Sequence, residues 1–365
     1  MRKMTSFLLV FVLPAFEALP QSEEAHSVRI KIGGNYGYYL YLSKTRQIAI
    51  NPQLDGIWDF REGLAGIKFG NKWGFIDKTG KAAIKPQFDS AWIFQEGLAP
   101  IQLGGKWGFI DKTGKIAIEP QFDRAWDFRE GLARVQLAYE WGYINKTGKM
   151  MVKPQFTDGR GVREGLAPIQ LGSKWGFIDK TGKTVIKPQF SVVWDFREGL
   201  AGIKWGDKWG FIDKAGKMAI EPQFDLALFF EEGLARVQLD GKWGYIDSSG
   251  KTVIKPQFDD AGGFMEGLAG IKWGGKWGYI DKTGKTVIKP QFDDAWSFQE
   301  GLARIQLGRK WGFIDNTGKT VIKPQFDVAR DFQEGLACIK LGGKYGYIDK
   351  TGKMAIEPQF DRAKN

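Results

Sequence analysis

Residues 106–115 read KWGFIDKTGK, which places an alternating run of residues directly before a turn. The alternation over residues 106–111 predicts a short β-strand that packs on one face. Residues 112–114, Lys-Thr-Gly, predict a tight turn in which glycine takes a left-handed conformation and closes a bulged hairpin. This segment therefore indicates β-structure and excludes a long helix across it.

The flanking residues extend the same pattern on both sides. Residues 97–103 form another alternating run, in which Ala99, Ile101 and Leu103 share one face. Gly104-Gly105 is the signal of a two-residue hairpin with positive φ angles. Residues 115–122 form a further run, in which Pro120 indicates a strand end or a sheet edge. Together these runs predict a meander of about three short antiparallel strands.

The stretch that follows, residues 123–131, reads DRAWDFREG. Asp123 is a suitable cap for a short helical turn, with Ala125 and Phe128 on its inner side. Gly131 would end such a turn. We therefore expect one helical turn in each unit and no long helix.

The unit recurs along the chain with a period of 34 residues. Glu-Gly-Leu-Ala occurs nine times, between Glu62 and Glu334, and a first, irregular copy begins near Val28. This gives about ten units over residues 28–365, each too small to bury its own apolar face. The Trp-Gly dipeptides mark the period most clearly, at Trp73, Trp107, Trp141, Trp175, Trp209, Trp243, Trp277 and Trp311, with Tyr345-Gly346 continuing the series.

The motifs at residues 106–115, 118–123 (IEPQFD) and 130–133 (EGLA) resemble the bacterial WG repeat, also called the KWG repeat. The resemblance covers residues 28–365. It implies an all-β repeat scaffold and brings no catalytic residues, and many members of the family are exported or surface-associated. Tyr345 in place of tryptophan is a local departure from the pattern.

Stacked repeats of this kind can remain open or close into a ring. Propellers usually have four to eight blades of four strands, whereas this chain has room for about three strands in each of its units. Neither end of the chain shows an evident spare strand. We therefore expect an open β-solenoid or superhelical array, with β-propeller-like closure as the alternative.

The composition argues against an enzyme. His26 and Cys338 are the single histidine and the single cysteine of the chain, too few for a zinc cage or a Cys-His pair. The recurring acids of the turns, such as Asp111, and of the Glu-Gly-Leu-Ala motif occupy equivalent positions, which indicates structural roles. We expect no catalytic residue, no cofactor site and no metal site.

The first twenty residues differ from the rest. Arg2 and Lys3 precede an apolar run that ends at Phe16, which is the layout of a signal peptide. The run is too short for a membrane span, which needs roughly twenty residues. We expect residues 1–20 to be removed on export to the periplasm, the cell surface or the medium, leaving no transmembrane span.

The net charge of +11 is spread over the chain, and acids accompany the repeated lysines. A concentrated basic stripe is absent from the sequence, which disfavours nucleic-acid binding.

Two positions of the first strand and one position of the following loop vary between copies. We interpret the strand positions as an outward face, where Lys204 and Lys272 precede Trp205 and Trp273, and the loop position is filled by Trp194 and Trp296. Aromatic rings with nearby cations suit protein hot spots and sugar faces alike. These six residues are our candidate partner-binding site. The expected function is a non-enzymatic exported scaffold for protein–protein interaction, with a glycan-binding or cell-wall-binding module as the alternative.

Overall fold

The computed structural model describes residues 26–41, 46–78 and 80–364, and this part of the chain contains forty strands and no helix. The expectation of residues 1–20 as a signal peptide lies outside the described residues. The strands of the first half are β1 His26–Ile32, β2 Asn35–Tyr41, β3 Arg46–Leu54, β4 Gly56–Ile57, β5 Leu64–Phe69, β6 Lys72–Asp77, β7 Ala82–Phe88, β8 Ser90–Ala91, β9 Leu98–Leu103, β10 Lys106–Asp111, β11 Ile116–Phe122, β12 Arg124–Ala125, β13 Leu132–Leu137, β14 Glu140–Asn145, β15 Met150–Phe156, β16 Asp158–Gly159, β17 Leu166–Leu171, β18 Lys174–Asp179, β19 Thr184–Phe190 and β20 Val192–Val193. Those of the second half are β21 Leu200–Trp205, β22 Lys208–Asp213, β23 Met218–Phe224, β24 Leu226–Glu231, β25 Leu234–Leu239, β26 Lys242–Asp247, β27 Thr252–Phe258, β28 Asp260–Ala261, β29 Leu268–Trp273, β30 Lys276–Asp281, β31 Thr286–Phe292, β32 Asp294–Ala295, β33 Leu302–Leu307, β34 Lys310–Asp315, β35 Thr320–Phe326, β36 Val328–Ala329, β37 Leu336–Leu341, β38 Lys344–Asp349, β39 Met354–Phe360 and β40 Arg362–Lys364.

The strands form ten four-stranded antiparallel sheets. Nine of the sheets are simple meanders of consecutive strands, such as β8-β9-β10-β11. In that sheet the predicted hairpin joins β9 to β10, where Gly104 and Gly105 have φ angles of 57° and 80°. The strand that contains Pro120 lies at the sheet edge, as its sequence predicted. The all-β repeat architecture is therefore confirmed.

Each unit has four strands rather than three, because the expected helical turn is wrong. In the unit analysed above, residues 124–125 form the two-residue strand β12. The backbone N–H of Asp123 donates to Gln136 O at 2.9 Å, and the N–H of Trp126 donates to Arg134 O at 3.1 Å. These bonds to β13 satisfy the donors that a helical turn would have left to a cap.

The glycine of the Trp-Gly motif permits a close crossing of the last two strands. A Cβ atom at Gly108 would lie 2.5 Å from Ile118 O and 2.6 Å from the nitrogen of Pro120. The register between β10 and β11 shifts at this point, between the pairs Trp107↔Phe122 and Phe109↔Ile118. A side chain larger than hydrogen would therefore push the edge strand away.

The core lies between successive sheets. One cluster joins Phe75 and Phe88 of the β4–β7 sheet to Phe94 and Ile101 of the next sheet, and all four side chains are buried. Phe75 meets Phe94 edge-on at 4.8 Å between ring centroids. The same contact recurs at later interfaces, for example between Phe313 and Phe332. Each unit thus completes its core with the neighbouring unit.

The ring is closed by the C-terminal strand, so the expected open array is wrong and the alternative is present. β40 pairs with β1 in the order β3-β2-β1-β40, with Ala363 opposite Ile30. Ile30, Tyr347 and Ala363 share one buried cluster that joins the tenth sheet to the first. The closing strand is only three residues long, which is why the sequence pattern did not reveal it. The fold is a ten-bladed β-propeller, in which blade 1 contains β1–β3 and β40 and blades 2–10 follow in chain order.

Candidate functional site

Every blade has two ends along its strand direction. The hairpin end carries turns such as Gly104-Gly105, and the turn end carries turns such as the one that starts at Asp111 and ends at Lys115. The two ends differ in their exposed side chains and in the groups with which their charged side chains pair.

The hairpin end carries a row of apolar side chains at one equivalent position, the last residue of the second strand of the blade. We call this row the hairpin rim. Trp205 and Trp273 are its largest members, with 51% and 52% of their surface exposed. Single exposed apolar residues are common, but a repeated row of them is a feature of interaction surfaces. The members are Phe69, Leu103, Leu137, Leu171, Trp205, Leu239, Trp273, Leu307 and Leu341, of which Leu103 and Leu137 are half-buried and the others exposed.

The two exposed tryptophans are fixed by rings of the preceding blade. Trp205 meets Phe190 edge-on at 5.6 Å, and Trp273 meets Phe258 edge-on at 5.8 Å. Each indole therefore contacts one ring of the protein and presents about half of its surface to solvent. Such a ring loses little conformational freedom when a partner covers it.

Charges around the hairpin rim are paired across blades. Lys208 Nζ lies 2.6 Å from Asp225 Oδ1, and the other oxygen of Asp225 accepts the N–H of Asp240 at 2.7 Å. The hydrogen bond from Lys208 is the main reason why the pKa of Asp225 lies below its ordinary value. Equivalent Lys–Asp pairs recur in other blades, for example Lys106–Asp123. The rim is thus apolar and bordered by alternating charges.

The carboxylates of the turn end accept hydrogen bonds from backbone N–H groups, which is the structural role that their repetition predicted. Asp111 Oδ1 accepts hydrogen bonds from the N–H groups of Thr113 and Lys115 at 2.9 and 3.1 Å. Glu164 Oε2 accepts the N–H of Gly199 in the next blade at 3.0 Å and pairs with Lys214 Nζ at 3.1 Å. These acids hold turns and blades in place.

The pKa of the Glu164 carboxyl reflects this double contact. Burial alone would raise the pKa. The hydrogen bonds from Lys214 and from the Gly199 N–H outweigh burial, so the pKa lies below its ordinary value. The carboxylate is therefore held in its charged form at neutral pH.

The first of the two variable strand positions was assigned incorrectly to an outward face. Pro100, Gly202 and Cys338 are buried there, and Arg134 is half-buried. The reason is that blades pack on both faces of each sheet, so alternation does not separate a core face from a solvent face. Burial also raises the pKa of the Cys338 thiol to about 12, which leaves it a poor nucleophile.

Side chains at the first variable strand position and at the variable loop position form hydrogen bonds to the next blade. We call these positions, together with the repeat tryptophan of the same blade, the stacking row. In seven blades a planar N–H donor at one of the two positions bonds a backbone carbonyl of the next blade's short strand. The bonds are Arg29 to Ile57 O at 3.0 Å, Trp58 to Ala91 O at 3.0 Å, Arg134 to Gly159 O, Arg160 to Val193 O at 3.0 Å, Trp194 to Ala227 O at 3.0 Å, Arg236 to Ala261 O at 2.9 Å and Arg304 to Ala329 O at 2.7 Å.

The donors also stack on the repeat tryptophans. Trp58 lies between Trp73 and Trp92, with ring centroids at 5.5 and 5.3 Å. The Arg134 guanidinium lies 4.6 Å from the ring centroid of Trp141 and 4.8 Å from that of Trp126. Stacking and cation–π contacts therefore run from blade to blade along this row.

The structure divides the six predicted site residues between these two regions. Trp205 and Trp273 belong to the hairpin rim. Lys204 and Lys272 are half-buried on the opposite sheet face, across from Trp209 and Trp277. Within the stacking row, Trp194 lies flat on Trp209 at 5.4 Å and is half-buried, whereas Trp296 is exposed. Trp194 and Lys204 thus meet at Trp209, but Trp205 faces away from them.

The leucines of the hairpin rim were not predicted as site residues from the sequence. Leu103 was expected on the same face as Ala99 and Ile101, and only the latter two are buried. Replacement of this leucine by Phe69, Trp205 and Trp273 in other copies was the signal that could have revealed the position. A position that accepts leucine and tryptophan in turn is not tightly packed.

A polar cavity of about 400 Å³ lies between blades 9 and 10. Arg304 and Arg330 line it, together with Asp331. Arg304 Nε lies 2.8 Å from Asp331 Oδ1, so the cavity contains an internal ion pair. Burial raises the pKa of Asp331, with Arg304 opposing that effect.

The described part of the chain has neither a cluster of metal ligands nor a membrane-spanning helix. Residues 26–41, 46–78 and 80–364 contain no group of three or more His, Cys, Asp or Glu side chains arranged for a metal ion. The same ranges contain no helix of the length and apolarity needed to cross a bilayer.

The repeated four-stranded blades and the closed ring define the class of protein as a β-propeller of tandem short repeats. The chain belongs to the family described as WG containing repeat, whose model matches ten consecutive segments from residue 41 to residue 365. The matched segments are 41–73, 73–107, 107–139, 141–175, 175–209, 209–243, 243–277, 277–311, 311–345 and 345–365.

Solved structures with a similar fold include three that are distant in sequence. No curated protein sequence matches the chain significantly. Among solved structures, Hsv2p of Kluyveromyces lactis is 9% identical with a TM-score of 0.37, covering 60% of this chain and 89% of its own. PorZ of Porphyromonas gingivalis, a surface component of the type-IX secretion system, is 10% identical with a TM-score of 0.28, covering 91% and 59%. The dihydro-heme d1 dehydrogenase NirN is 11% identical with a TM-score of 0.41, covering 96% and 76%. These distant likenesses carry no functional conclusion for this chain.

Proposed function

We propose that this WG-repeat propeller is a non-enzymatic scaffold that binds a partner protein through the hairpin rim. The observation that carries the proposal is the pair of half-exposed, ring-anchored tryptophans, Trp205 and Trp273, in blades 6 and 8. Leu239 of the intervening blade is exposed at the same position. Aromatic anchors inside a border of paired charges are typical of protein interfaces.

The chemistry of the partner follows from the rim and the net charge. An apolar patch on the partner would cover the indoles, and acidic residues around that patch would suit a chain of net charge +11. Repeated weak contacts along the ring would add through effective concentration. The absence of enzymatic activity is part of the proposal, and it is supported by the structural use of the turn-end acids and by the unreactive thiol of Cys338.

Export also remains a proposal, which rests on the composition of residues 1–20. It is tested by mass spectrometry of the protein from its native host. A mature N-terminus close to residue 20, in the periplasmic, surface or secreted fraction, supports export. An intact Met1 in the cytosolic fraction contradicts it.

The test of protein binding uses a double variant and a matched control. Trp205→Ser with Trp273→Ser removes both anchors, whereas Val253→Ser with Val287→Ser changes exposed apolar residues on outer strands. Each protein is used to capture partners from surface and secreted fractions of the native host, with quantitative mass spectrometry. The proposal expects a protein that the wild type and the valine control retain and the tryptophan variant loses by at least tenfold.

The alternative is a glycan-binding or cell-wall-binding module, which the exposed aromatic surface of the same two tryptophans favours. The same variants are tested on a glycan array and on insoluble cell wall. Tryptophan-dependent retention on those materials, without a protein retained in the same way, would replace the protein-binding proposal by this alternative.

A further inference from the structure

Blade 8 lacks the side chain that other blades insert into the stacking row. Its loop position is Gly262 and its strand position is Gly270, and blade 8 is the only one of blades 2–10 with glycine at both. The two glycines do not carry positive φ angles, so backbone conformation does not require them. A Cβ atom at Gly270 would meet its nearest neighbours, in Trp277 and Tyr279, at an ordinary 3.7 Å. The space of a missing side chain is therefore open beside Trp277.

The next blade nevertheless carries a complete receptor for that side chain. The short strands of blades 5, 8 and 9 begin with aspartates, and each aspartate Oδ1 accepts the N–H of the following residue. These bonds are Asp158 with Gly159 at 2.7 Å, Asp260 with Ala261 at 2.8 Å and Asp294 with Ala295 at 2.8 Å. In each case the carbonyl of the second residue is the acceptor position of the stacking row.

Two of these three receptors hold an arginine of the preceding blade. Arg134 donates to Gly159 O and lies 3.4 Å from Asp158 Oδ1. Arg236 donates to Ala261 O at 2.9 Å, in the strand that starts with Asp260. The third receptor, at Asp294 and Ala295, faces the two glycines of blade 8.

One wall of the open space matches a wall around the internal arginine of blade 4. There the guanidinium contacts the repeat tryptophan Trp141. The equivalent wall in blade 8 is Trp277, and Trp296 follows the short strand of blade 9 with 51% of its surface exposed. Ala295 is 8% exposed. Ala261 and Ala329, the equivalent residues whose carbonyls accept a bond from an arginine, are 3% and 0% exposed, which agrees with an uncovered carbonyl at Ala295.

We infer that the space bounded by Gly262, Gly270, Trp277, Asp294 and Ala295 O is a binding slot for a guanidinium group, supplied by an arginine side chain of a partner protein. The guanidinium would stack on Trp277, donate to Ala295 O and pair with Asp294, which reproduces the contacts of Arg134 with Trp141, Gly159 O and Asp158. The contact of Arg134 with Trp126 has no counterpart, because blade 8 has Gly262 at that position. Lysine lacks the planar fork needed for stacking and for two directed bonds. The assignment of the guanidinium group to a partner protein rests on the proposed function. The assignment of the slot to a guanidinium group does not.

The first test measures the slot with a probe. N-acetyl-arginine amide is titrated into the full chain, with N-acetyl-lysine amide as control, and tryptophan side-chain signals are followed by NMR after assignment with Trp277→Phe and Trp296→Phe. A ligand of this size is expected to bind with Kd on the order of millimolar. The arginine probe should shift the signals of Trp277 and Trp296, and Asp294→Asn should weaken its binding about tenfold or more. Equal shifts with the lysine probe, or none with arginine, would overturn the inference.

The second test fills the slot from within. Gly270→Arg places arginine where blades 4, 7 and 9 have one, so it should raise the melting temperature and abolish probe binding. Gly202→Arg is the matched control, because a Cβ at Gly202 would lie 2.7 Å from a ring carbon of Trp194, in a slot already filled. That variant should lower the melting temperature and leave probe binding unchanged. If both arginine variants are destabilised alike, the slot in blade 8 is not open.

The source of the guanidinium is tested separately from the hairpin rim. Once a partner retained through Trp205 and Trp273 is in hand, Gly270→Arg should reduce its affinity at least tenfold. Probe binding with unchanged partner affinity would mean that the slot takes a small guanidinium ligand, and would overturn the partner arginine. The proposed function fails independently, when loss of Trp205 and Trp273 affects no protein.

Discussion

The carboxylate of Glu62 accepts a hydrogen bond from the backbone N–H of Gly97 at 3.0 Å, thirty-five residues further along the chain and in the next blade. Glu62 itself has a φ angle of 51°, a left-handed conformation that costs a non-glycine residue roughly 1–2 kcal/mol. Equivalent glutamates from Glu96 to Glu334 share that conformation. The repeat therefore keeps a strained glutamate for the sake of its side chain, which joins one blade to the next.

Two substitutions at Glu164 can separate the cost of its left-handed backbone from the contribution of its hydrogen bond to Gly199. Glu164→Ala loses the hydrogen bond to Gly199 and keeps the strain, so we expect a loss of about 1–2 kcal/mol of unfolding free energy. Glu164→Gly loses the bond and relieves the strain, so it should be more stable than the alanine variant by about 1 kcal/mol. Chemical denaturation measures both values. Alanine and wild type of equal stability would show that the bond between blades contributes nothing.

The same glutamates predict acid sensitivity. The pKa of Glu62, Glu130, Glu164, Glu232 and Glu300 is lowered, because bonds from lysines and glycine N–H groups outweigh the opposing effect of burial. A lowered folded-state pKa gives stability that is present above the unfolded pKa of about 4.3 and is lost as pH falls through the folded value. The melting temperature should therefore be steady from neutral pH to about pH 5 and fall below about pH 4. A melting temperature that rises on acidification from pH 5 to pH 3 would contradict this assignment.

Substitutions of two tryptophans four positions apart should lower stability by very different amounts. Trp209 is 6% exposed and stacked under Trp194, so Trp209→Ala should cost about 3–5 kcal/mol. Trp205 is 51% exposed and contacts the single ring of Phe190, so Trp205→Ala should cost about 1 kcal/mol or less. Thermal and chemical melts compare the two directly. If Trp205→Ala is as unstable as Trp209→Ala, then the hairpin rim has a packing role and not a binding role.

Closure of the ring predicts a vulnerable point at the end of the chain. Ala363 is buried against Ile30 and Tyr347, so Ala363→Asp places an unpaired charge in the closing interface and should cost more than about 2 kcal/mol. Arg362→Ala, at an exposed neighbour, is the control and should change stability by less than about 0.5 kcal/mol. Hydrogen exchange in β1 and β39 should accelerate in the aspartate variant alone. Unchanged exchange would show that the ring is not held closed there.

The local structure of each unit could be predicted from short-range signals. The hairpin at Gly104-Gly105, the turn at Asp111 and the edge strand with Pro120 all depend on the backbone preferences of a few neighbouring residues. The turn at Asp123 was predicted wrongly, because its donors bond β13 and not a helical neighbour. Long-range pairing overrode a local preference at that point.

The site was less predictable, because exposure depends on what packs against each face. Trp194 and Trp296 occupy equivalent positions, yet Trp194 is covered by Phe229 of the next blade and Trp296 is exposed. The strand position of Arg134 resembled a solvent-facing position but lies between blades. No pattern within a single unit could distinguish these cases, since the covering side chains belong to another unit.

The amino-acid order is sufficient for the repeat, its strands and its turns, and for the glycine of each Trp-Gly dipeptide, because these features depend on the backbone geometry of adjacent residues. Ring closure, the buried bonds between blades and the open slot of blade 8 depend on contacts between distant residues. Asp294 and Gly270 come together through the packing of two neighbouring blades, whereas Ala363 meets Ile30 only because the small rotation between successive blades accumulates over ten units into a complete circle. That sum is a property of the packed blades together and is not encoded at any one position of the repeat.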